Sequence, residues 1–319
     1  MVTVAEFNTT WSKNIVEDYD LQSKEAIRNS AMNMIFDISD TTEYTESFNS
    51  TEAMDLPGYI DESENLKEST TGKGYKVTFD SVEFGHKIKI TYKARLKAKD
   101  STEELLTVIN REKNNAIIQM QTFLEIETHK LLNEAFSSTT YLAPDGLSIC
   151  NDAHVWNSTG NTFDNNLSAG TALSSTVVDA VEKYAGAFTD AEGNPMPLNF
   201  RKIVVKKGGK AATAAKKLFG IPNAQGQYSP TSVGAIDIYN GFYTIIETPY
   251  ITSNTAYFFI ADYEGTGMEN PLFVNFMERP RIQGDMEQKD NLDWIMKVAG
   301  SFKFGCITLP FTILGDAGA

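Results

Sequence analysis

STEELLTVINREKNNAIIQMQTFLEIETHKLLNEAF, residues 101–136, is the stretch from which the rest of the chain can be read. Ser101-Thr102-Glu103-Glu104 is a capping box, with Ser101 placed to cap a helix and Glu104 to reach back to it. Leu106, Ile109, Ile117, Met120, Leu124, Leu131 and Ala135 then recur at steps of three, four and seven. The spacing predicts one helix to about Phe136, ~50 Å long at 1.5 Å per residue. Arg111, Glu112, Lys113, Glu125, Glu127 and Lys130 fall on its other face. A helix this long, apolar along one stripe, lies across a sheet or a core and is not buried all round.

Upstream, residues 44–98 form an excursion of another kind. Glu46, Glu52, Asp55, Asp61, Glu62, Glu64 and Glu68 make its first half acidic, with little to bury. Alternation then begins: Val77 and Phe79, Val82 and Phe84, then Ile88, Ile90 and Tyr92 after Gly85-His86. That pattern predicts paired strands exposed on one face. A long excursion with a β-hairpin base and few core residues is normally functional, and a neighbouring subunit could cover it. Residues 1–43 read as an arm, with a short helix around Ile27, Ala31, Met34 and Ile38 behind a loosely structured polar lead-in.

Downstream the pattern is mixed α/β. Helices are predicted over 176–188 and 210–219, and strands at Ile203-Val204-Val205, 236–248 and 257–261. A long strand begins at Leu272, and residues 279–291 read as a polar turn region. Trp294 to Val298 pairs back, and the apolar end, Phe302 to Leu314, is strand-like. Asp190 to Pro195 is built of turn residues.

The bulk numbers narrow the function. At 319 residues and 41% hydrophobic content the chain can bury a substantial core. A net charge of -14 disfavours sequence-independent binding to phosphate backbones. Cys150 and Cys306 lie far apart without CxxC spacing, so two reduced, partly buried thiols are expected. Met1 to Trp11 has no apolar core segment, so no signal peptide is read there, and no stretch approaches a membrane span; folding in a cytoplasm is expected. His86, His129 and His154 show no metal-binding spacing, so no metal or cofactor is expected. Gly208-Gly209-Lys210 lacks the first glycine of a phosphate loop, and Ala211 stands where Ser or Thr would hold magnesium, leaving a glycine turn that opens a helix. No catalytic set emerges, and no enzymatic activity is expected. Lys206, Lys207, Lys210, Lys216 and Lys217 form a basic cluster, read as a solvated face or, as a minority reading, a surface for an acidic neighbour.

The order of arm, projecting β-loop, long capped helix and mixed α/β region with long returning strands resembles the major capsid proteins of tailed bacteriophages, and among them the Mu-like major head subunit. The residues that carry this are Asp145-Gly146, Asp152-Ala153-His154, Gly160, Asn165-Asn166-Leu167 and the Asp190-to-Met196 loop ahead of Ile203-Val204-Val205. Asn270-Pro271-Leu272, Asp290-Asn291-Leu292 and Phe304-Gly305 follow. Val155 departs from the pattern, since those relatives tend to have proline there. The likeness covers roughly residues 75–310.

The resemblance implies an α+β chain with the Hong Kong-type phage capsid fold. Its expected parts are an N-terminal arm (1–43), an extended loop (44–98), a peripheral domain with the spine helix (99–139 and 266–303) and an axial domain (140–265 and 304–319). It implies pentamers and hexamers of an icosahedral shell that encloses double-stranded DNA without binding it specifically, in the virion, after assembly in a bacterial cytoplasm. Implied subunit-facing residues are Asp55, Tyr59, Asp61, Glu62, Glu64, Lys67, Lys73, Phe79 and Phe84 on the loop, with Arg279 and Arg281 on the returning strands. Some relatives cross-link through a loop lysine, but no motif around Lys67, Lys73 or Lys76 marks a reactive one. The arm starts near Met1, so scaffolding is expected from a separate protein, with a portal and a decoration protein as further partners and no membrane. A nanocompartment shell enclosing enzymes, and a soluble α/β enzyme with an unrecognised site, are the alternatives.

Deleting Asp55 to Ser69 is expected to leave a folded, soluble chain that fails to assemble; normal shells in electron micrographs of that variant would contradict the reading of the loop.

Overall fold

The computed structural model describes residues 12–54, 71–97, 102–167, 170–196, 198–219, 241–262 and 269–319. The first half of the chain runs α1 (Ser12–Arg28), α2 (Met32–Ile35), β1 (Asp37–Asp40), β2 (Thr45–Met54), β3 (Thr71–Asp80), β4 (Val82–Ile90), α3 (Tyr92–Lys97) and α4 (Thr102–Asn133). After it come β5 (His154–Val155), β6 (Thr162–Phe163), α5 (Ser175–Ala187), β7 (Phe200–Lys206), α6 (Lys210–Phe219), β8 (Thr244–Thr248), β9 (Tyr257–Ala261), β10 (Leu272–Gln288), β11 (Trp294–Cys306) and β12 (Ile313–Asp316). The chain divides into two compact units.

The first unit comprises Met1–Glu46, Phe79–Thr128 and Val274–Phe304. Its sheet has the order β1-β10-β11-β4, with β11 antiparallel to β4 so that Trp294 faces Ile90 and Phe302 faces Val82. Trp294, Met296 and Val298 point inward at alternate positions while Lys297 points out, the two-residue period of a half-buried strand. They pack with Ile88 and Ile90 of β4, Ile109, Ala116, Ile117 and Met120 of α4, and Ile15 and Tyr19 of α1.

Three expectations are corrected here. The polar lead-in is helical, because Ile15, Tyr19, Ser23 and Ile27 recur every four residues and all four are buried; Met34, placed on the predicted stripe, is 54% exposed. Residues 279–288 continue β10 instead of turning, with Ile282 buried among α1, α4 and β11 residues. Lys113 and Glu125, assigned to the solvent face of the long helix, are both 2% exposed. Lys113 pairs with Asp18 of α1, and Glu125 accepts the Met32 backbone N–H at 3.4 Å, though burial outweighs its hydrogen bonds and pushes the Glu125 carboxyl up. Leu105, beside the expected Leu106, is the buried residue of the first turn; Ser101 lies outside the described residues.

Lys303 of β11 is likewise buried. Its ammonium meets the Glu46 carboxylate at 2.9 Å and donates to the Glu43 carbonyl at 2.8 Å. Asn275 donates to the same carboxylate at 3.1 Å. Burial pushes the Glu46 carboxyl up, but the hydrogen bonds from Lys303 and Asn275 and the lysine charge outweigh this and hold it below its ordinary value.

The second unit comprises Ser47–Thr78, His129–Phe273 and Gly305–Ala319. Its sheet runs β12-β9-β7-β8, with β7 parallel to β8 and antiparallel to β9. Ile203, Val204 and Val205 are all fully buried, a continuous apolar run as expected of a central strand covered on both faces. Val177, Val181 and Ala185 of α5 and Ala211, Ala212, Ala215 and Phe219 of α6 join that core. The glycine turn before α6 is real: Gly208 adopts φ +75, and a Cβ on Gly209 would lie 2.7 Å from the Asn254 carbonyl oxygen. Cys150 and Cys306 are unpaired and buried, and burial, with nearby Asp164 for the first and Asp145 for the second, raises both thiols far above their ordinary range.

Ile109 is fully buried in the first core. Ile109→Ala should lower unfolding stability by about 2–5 kcal/mol, read as a shift of the urea midpoint at unchanged slope.

Candidate assembly surfaces

The ribbon of β2 and β3 is antiparallel by its side-chain contacts. Thr45 donates to Asp80 at 2.6 Å, the Ser47 and Thr78 hydroxyls meet at 2.9 Å, and Ser50 pairs with Tyr75. A Cβ on Gly74 would fall 2.2 Å from the Ser50 hydroxyl oxygen, so glycine lets the strands close at that point. Farther along, still inside the second unit, the ribbon meets the β5–β6 turn. The Glu52 carboxylate accepts the backbone N–H groups of Asn157 and Ser158 at 2.9 and 2.7 Å. Asn157 returns two bonds, from its side-chain amide to the carbonyls of Lys73 and Gly74 at 3.2 and 3.1 Å. The Tyr75 hydroxyl donates to the Val155 carbonyl at 3.0 Å. Lys73 itself is exposed.

Two features of the expected excursion therefore differ from the reading above. β4 pairs with β11 and buries Ile88 and Ile90, so this part of 44–98 is core. The ribbon, expected to find cover only on a neighbour, is satisfied over residues 50–52 and 73–75 by its own chain. Asp55, Tyr59, Asp61, Glu62, Glu64 and Lys67 lie outside the described residues.

In the first unit the structure brings three predicted residues to one open groove. Phe84, Arg279 and Arg281 line it with Asp20, Asp40, Tyr44 and Glu83. Phe84 is half-buried, stacked on Phe123 at 5.5 Å and edge-on to Phe302 at 5.2 Å. Arg279 grips Asp40 through two hydrogen bonds of 2.7 and 3.2 Å, and Arg281 pairs with Glu278 at 2.5 Å. Burial raises the Asp20 carboxyl against the opposing pull of Lys24 and Arg281. The arrangement is an aromatic floor with a rim of mixed charge, suited to holding a polar segment by ion pairs and hydrogen bonds. Phe79, the remaining predicted residue, is half-buried.

One apolar surface escaped the sequence reading. Ile118, Phe123 and Ile126 of α4 are 61%, 39% and 46% exposed. The signal was present, since Ile118 and Ile126 sit eight residues apart, off the buried stripe. Phe123 also packs on Phe84 and Phe302, which leaves Ile118 and Ile126 as the more open pair. Of the basic cluster, Lys206 donates to the Thr252 carbonyl at 2.9 Å and Lys216 pairs with Glu247 at 2.5 Å, while Lys207, Lys210 and Lys217 are exposed. Among the described residues no three of His, Cys, Asp and Glu are grouped to hold a metal, and no helix is long and apolar enough to cross a membrane.

Behind the β5–β6 turn sits a buried pair. His154 is fully buried, with Nδ1 2.7 Å from Asp145 Oδ2 and Nε2 3.1 Å from the Ile149 carbonyl oxygen. Burial pushes the Asp145 carboxyl up, but His154 and the N–H groups of Leu147 and Val155 outweigh it and hold the group below its ordinary value.

No family model matches the chain, and no curated protein matches it. Solved structures do. A chain of Mycobacterium phage Patience is 13% identical, with a TM-score of 0.51 over 99% of this chain and 88% of that one. The capsid of a native GTA particle is 14% identical, with a TM-score of 0.50 over 91% and 90%. A virus-like particle from Pyrococcus furiosus aligns with 96% of this chain and 99% of its own at 7% identity and a TM-score of 0.47, too distant to weigh. These structures single out no Mu-like relative.

A carboxyl held below its ordinary value stabilises the fold above that value, and the contribution is lost as pH falls from there through the lowered one. Asp145→Asn should therefore lower stability at neutral pH by about 1–3 kcal/mol and flatten the further loss below about pH 4, followed by thermal melting at pH 7 and pH 3.5.

Proposed function

We propose that this chain, which has the Hong Kong-type shell fold of the Patience and GTA structures, is a major capsid protein. The observation that carries the reading is the end-to-end likeness, which takes in 99% of this chain and 88% of the other. On this reading the subunits form pentamers and hexamers of an icosahedral shell around double-stranded DNA, in the virion, and the protein's role is structural, not enzymatic. The acidic balance suits a wall that releases its contents, because a surface of net charge -14 repels phosphates instead of condensing on them.

Closed shells need several heterologous contacts per subunit, each of which continues until the rotation closes. The far part of the loop within 44–98, the groove around Phe84, Arg279 and Arg281, and the α4 face of Ile118, Phe123 and Ile126 are the surfaces proposed to supply them. The peripheral domain (99–139 and 266–303) would carry the spine helix, and the axial domain (140–265 and 304–319) would lie about the ring axis. A separate scaffolding protein, a portal and a decoration protein are proposed partners.

Expression of the chain in bacteria, followed by negative-stain electron microscopy, should show closed shells of uniform diameter. A population made only of monomers by size-exclusion chromatography would sink the proposal.

A further inference from the structure

The structure assigns Glu52, Tyr75 and Asn157 the role of positioning residues that fix the direction in which the β2–β3 ribbon leaves its own subunit. The assignment rests on the shell reading and adds to it a device within one chain. The three residues make five hydrogen bonds to one turn or from it, and every one runs between the ribbon and residues 155–158. The bonds differ in kind, and together they fix orientation as well as proximity. From β2, Glu52 presents both carboxylate oxygens to two consecutive backbone N–H groups of the turn, a charge-assisted pair. Asn157 holds two consecutive carbonyls of β3. Tyr75 adds a third point, at Val155. A ribbon held through both strands and at a third point can neither swing nor roll against that turn, whereas one contact would leave it a hinge.

The turn is firm enough to serve as the anchor. His154 beside it is buried and bonded at both ring nitrogens, and Trp156 is buried against Phe163 and Phe311, with ring centroids 5.1 and 5.6 Å apart. Core packing does not require the three bonding groups. Asn157 is exposed, Glu52 is half-buried, and neither contributes to the apolar core. What the bonds determine is where the far end of the ribbon goes. They sit at residue 52 and residues 73–75, near the far ends of the two strands, so whatever continues beyond them sets out from one fixed point. A shell that closes at one size demands one angle, and mis-aimed ribbons would give other curvatures.

The test compares the whole chain with Glu52→Gln, Asn157→Ala and Tyr75→Phe. Three readouts are taken: thermal melting, amide hydrogen exchange, and particle diameters by electron microscopy. The expected result is melting within a few degrees of the parent, about tenfold faster exchange at Asn157 and Ser158 in Glu52→Gln, and shells that are mis-sized or unclosed in at least Glu52→Gln and Asn157→Ala. Normal, uniform shells from folded variants whose exchange is accelerated would overturn the inference, as would unchanged exchange. If Glu52→Gln or Asn157→Ala fails to fold, Tyr75→Phe, which removes one hydroxyl, decides by the same readouts. Absence of shells from the parent chain would instead sink the shell reading itself, so the two failures are distinguishable.

Discussion

A two-stranded ribbon has no second layer, and in water it is marginal unless something packs on it. This constraint bears on most of what is distinctive here. The chain commits ten residues on each side to β2 and β3 and then secures the ribbon within the same molecule. In the first unit the buried Lys303 ammonium ties down Glu43 and Glu46, at the start of β2. In the second, the β5–β6 turn takes hold at residue 52 and residues 73–75. Both devices are polar and lie in places where an apolar contact would do less. A hydrophobic patch allows sliding, whereas paired hydrogen bonds to consecutive backbone groups specify a register.

Much of the architecture was legible because it rests on strong periodicity. α4, α5 and α6, the central strand at Ile203-Val204-Val205 and the strand at Tyr257–Ala261 all follow from spacing alone. The failures have physical causes. α1 was read as a loose lead-in because Ser23, a polar residue, occupies one of the four inward positions and hides the stripe; its hydroxyl is satisfied by the carbonyls of Asp20 and Pro280. Residues 279–288 look like a turn because arginines, a proline and a glycine cluster there, yet Pro280 and Ile282 are buried. Lys113 and Glu125 were given to solvent by residue type, and only their partners, Asp18 and Met32, distant in sequence, explain why they are inside.

The site was less legible than the fold. Glu52 and Asn157 are 105 residues apart, and nothing local marks either as a partner of the other. Glu52 was counted among the acidic residues of the loop, whose negative charge was the only property sequence could register. Arg279 and Arg281, read as facing a neighbour, are engaged within their own chain by Asp40 and Glu278. Such pairs at a surface hold a side chain in place at little net energy, and they can exchange one carboxylate for another without leaving a charge unpaired. That makes them compatible with a later contact without requiring it.

Cys150 and Cys306, the chain's two sulfhydryls, are sealed inside the second unit and far from ionising there. Only a thiolate attacks an alkylating or disulfide reagent, and it must be reachable. The intact molecule is therefore chemically silent to such reagents, and a labelled cysteine would record an opening event in that unit. The protein thus carries its own integrity gauge, one that adds no foreign group and leaves every outward-facing residue as it is.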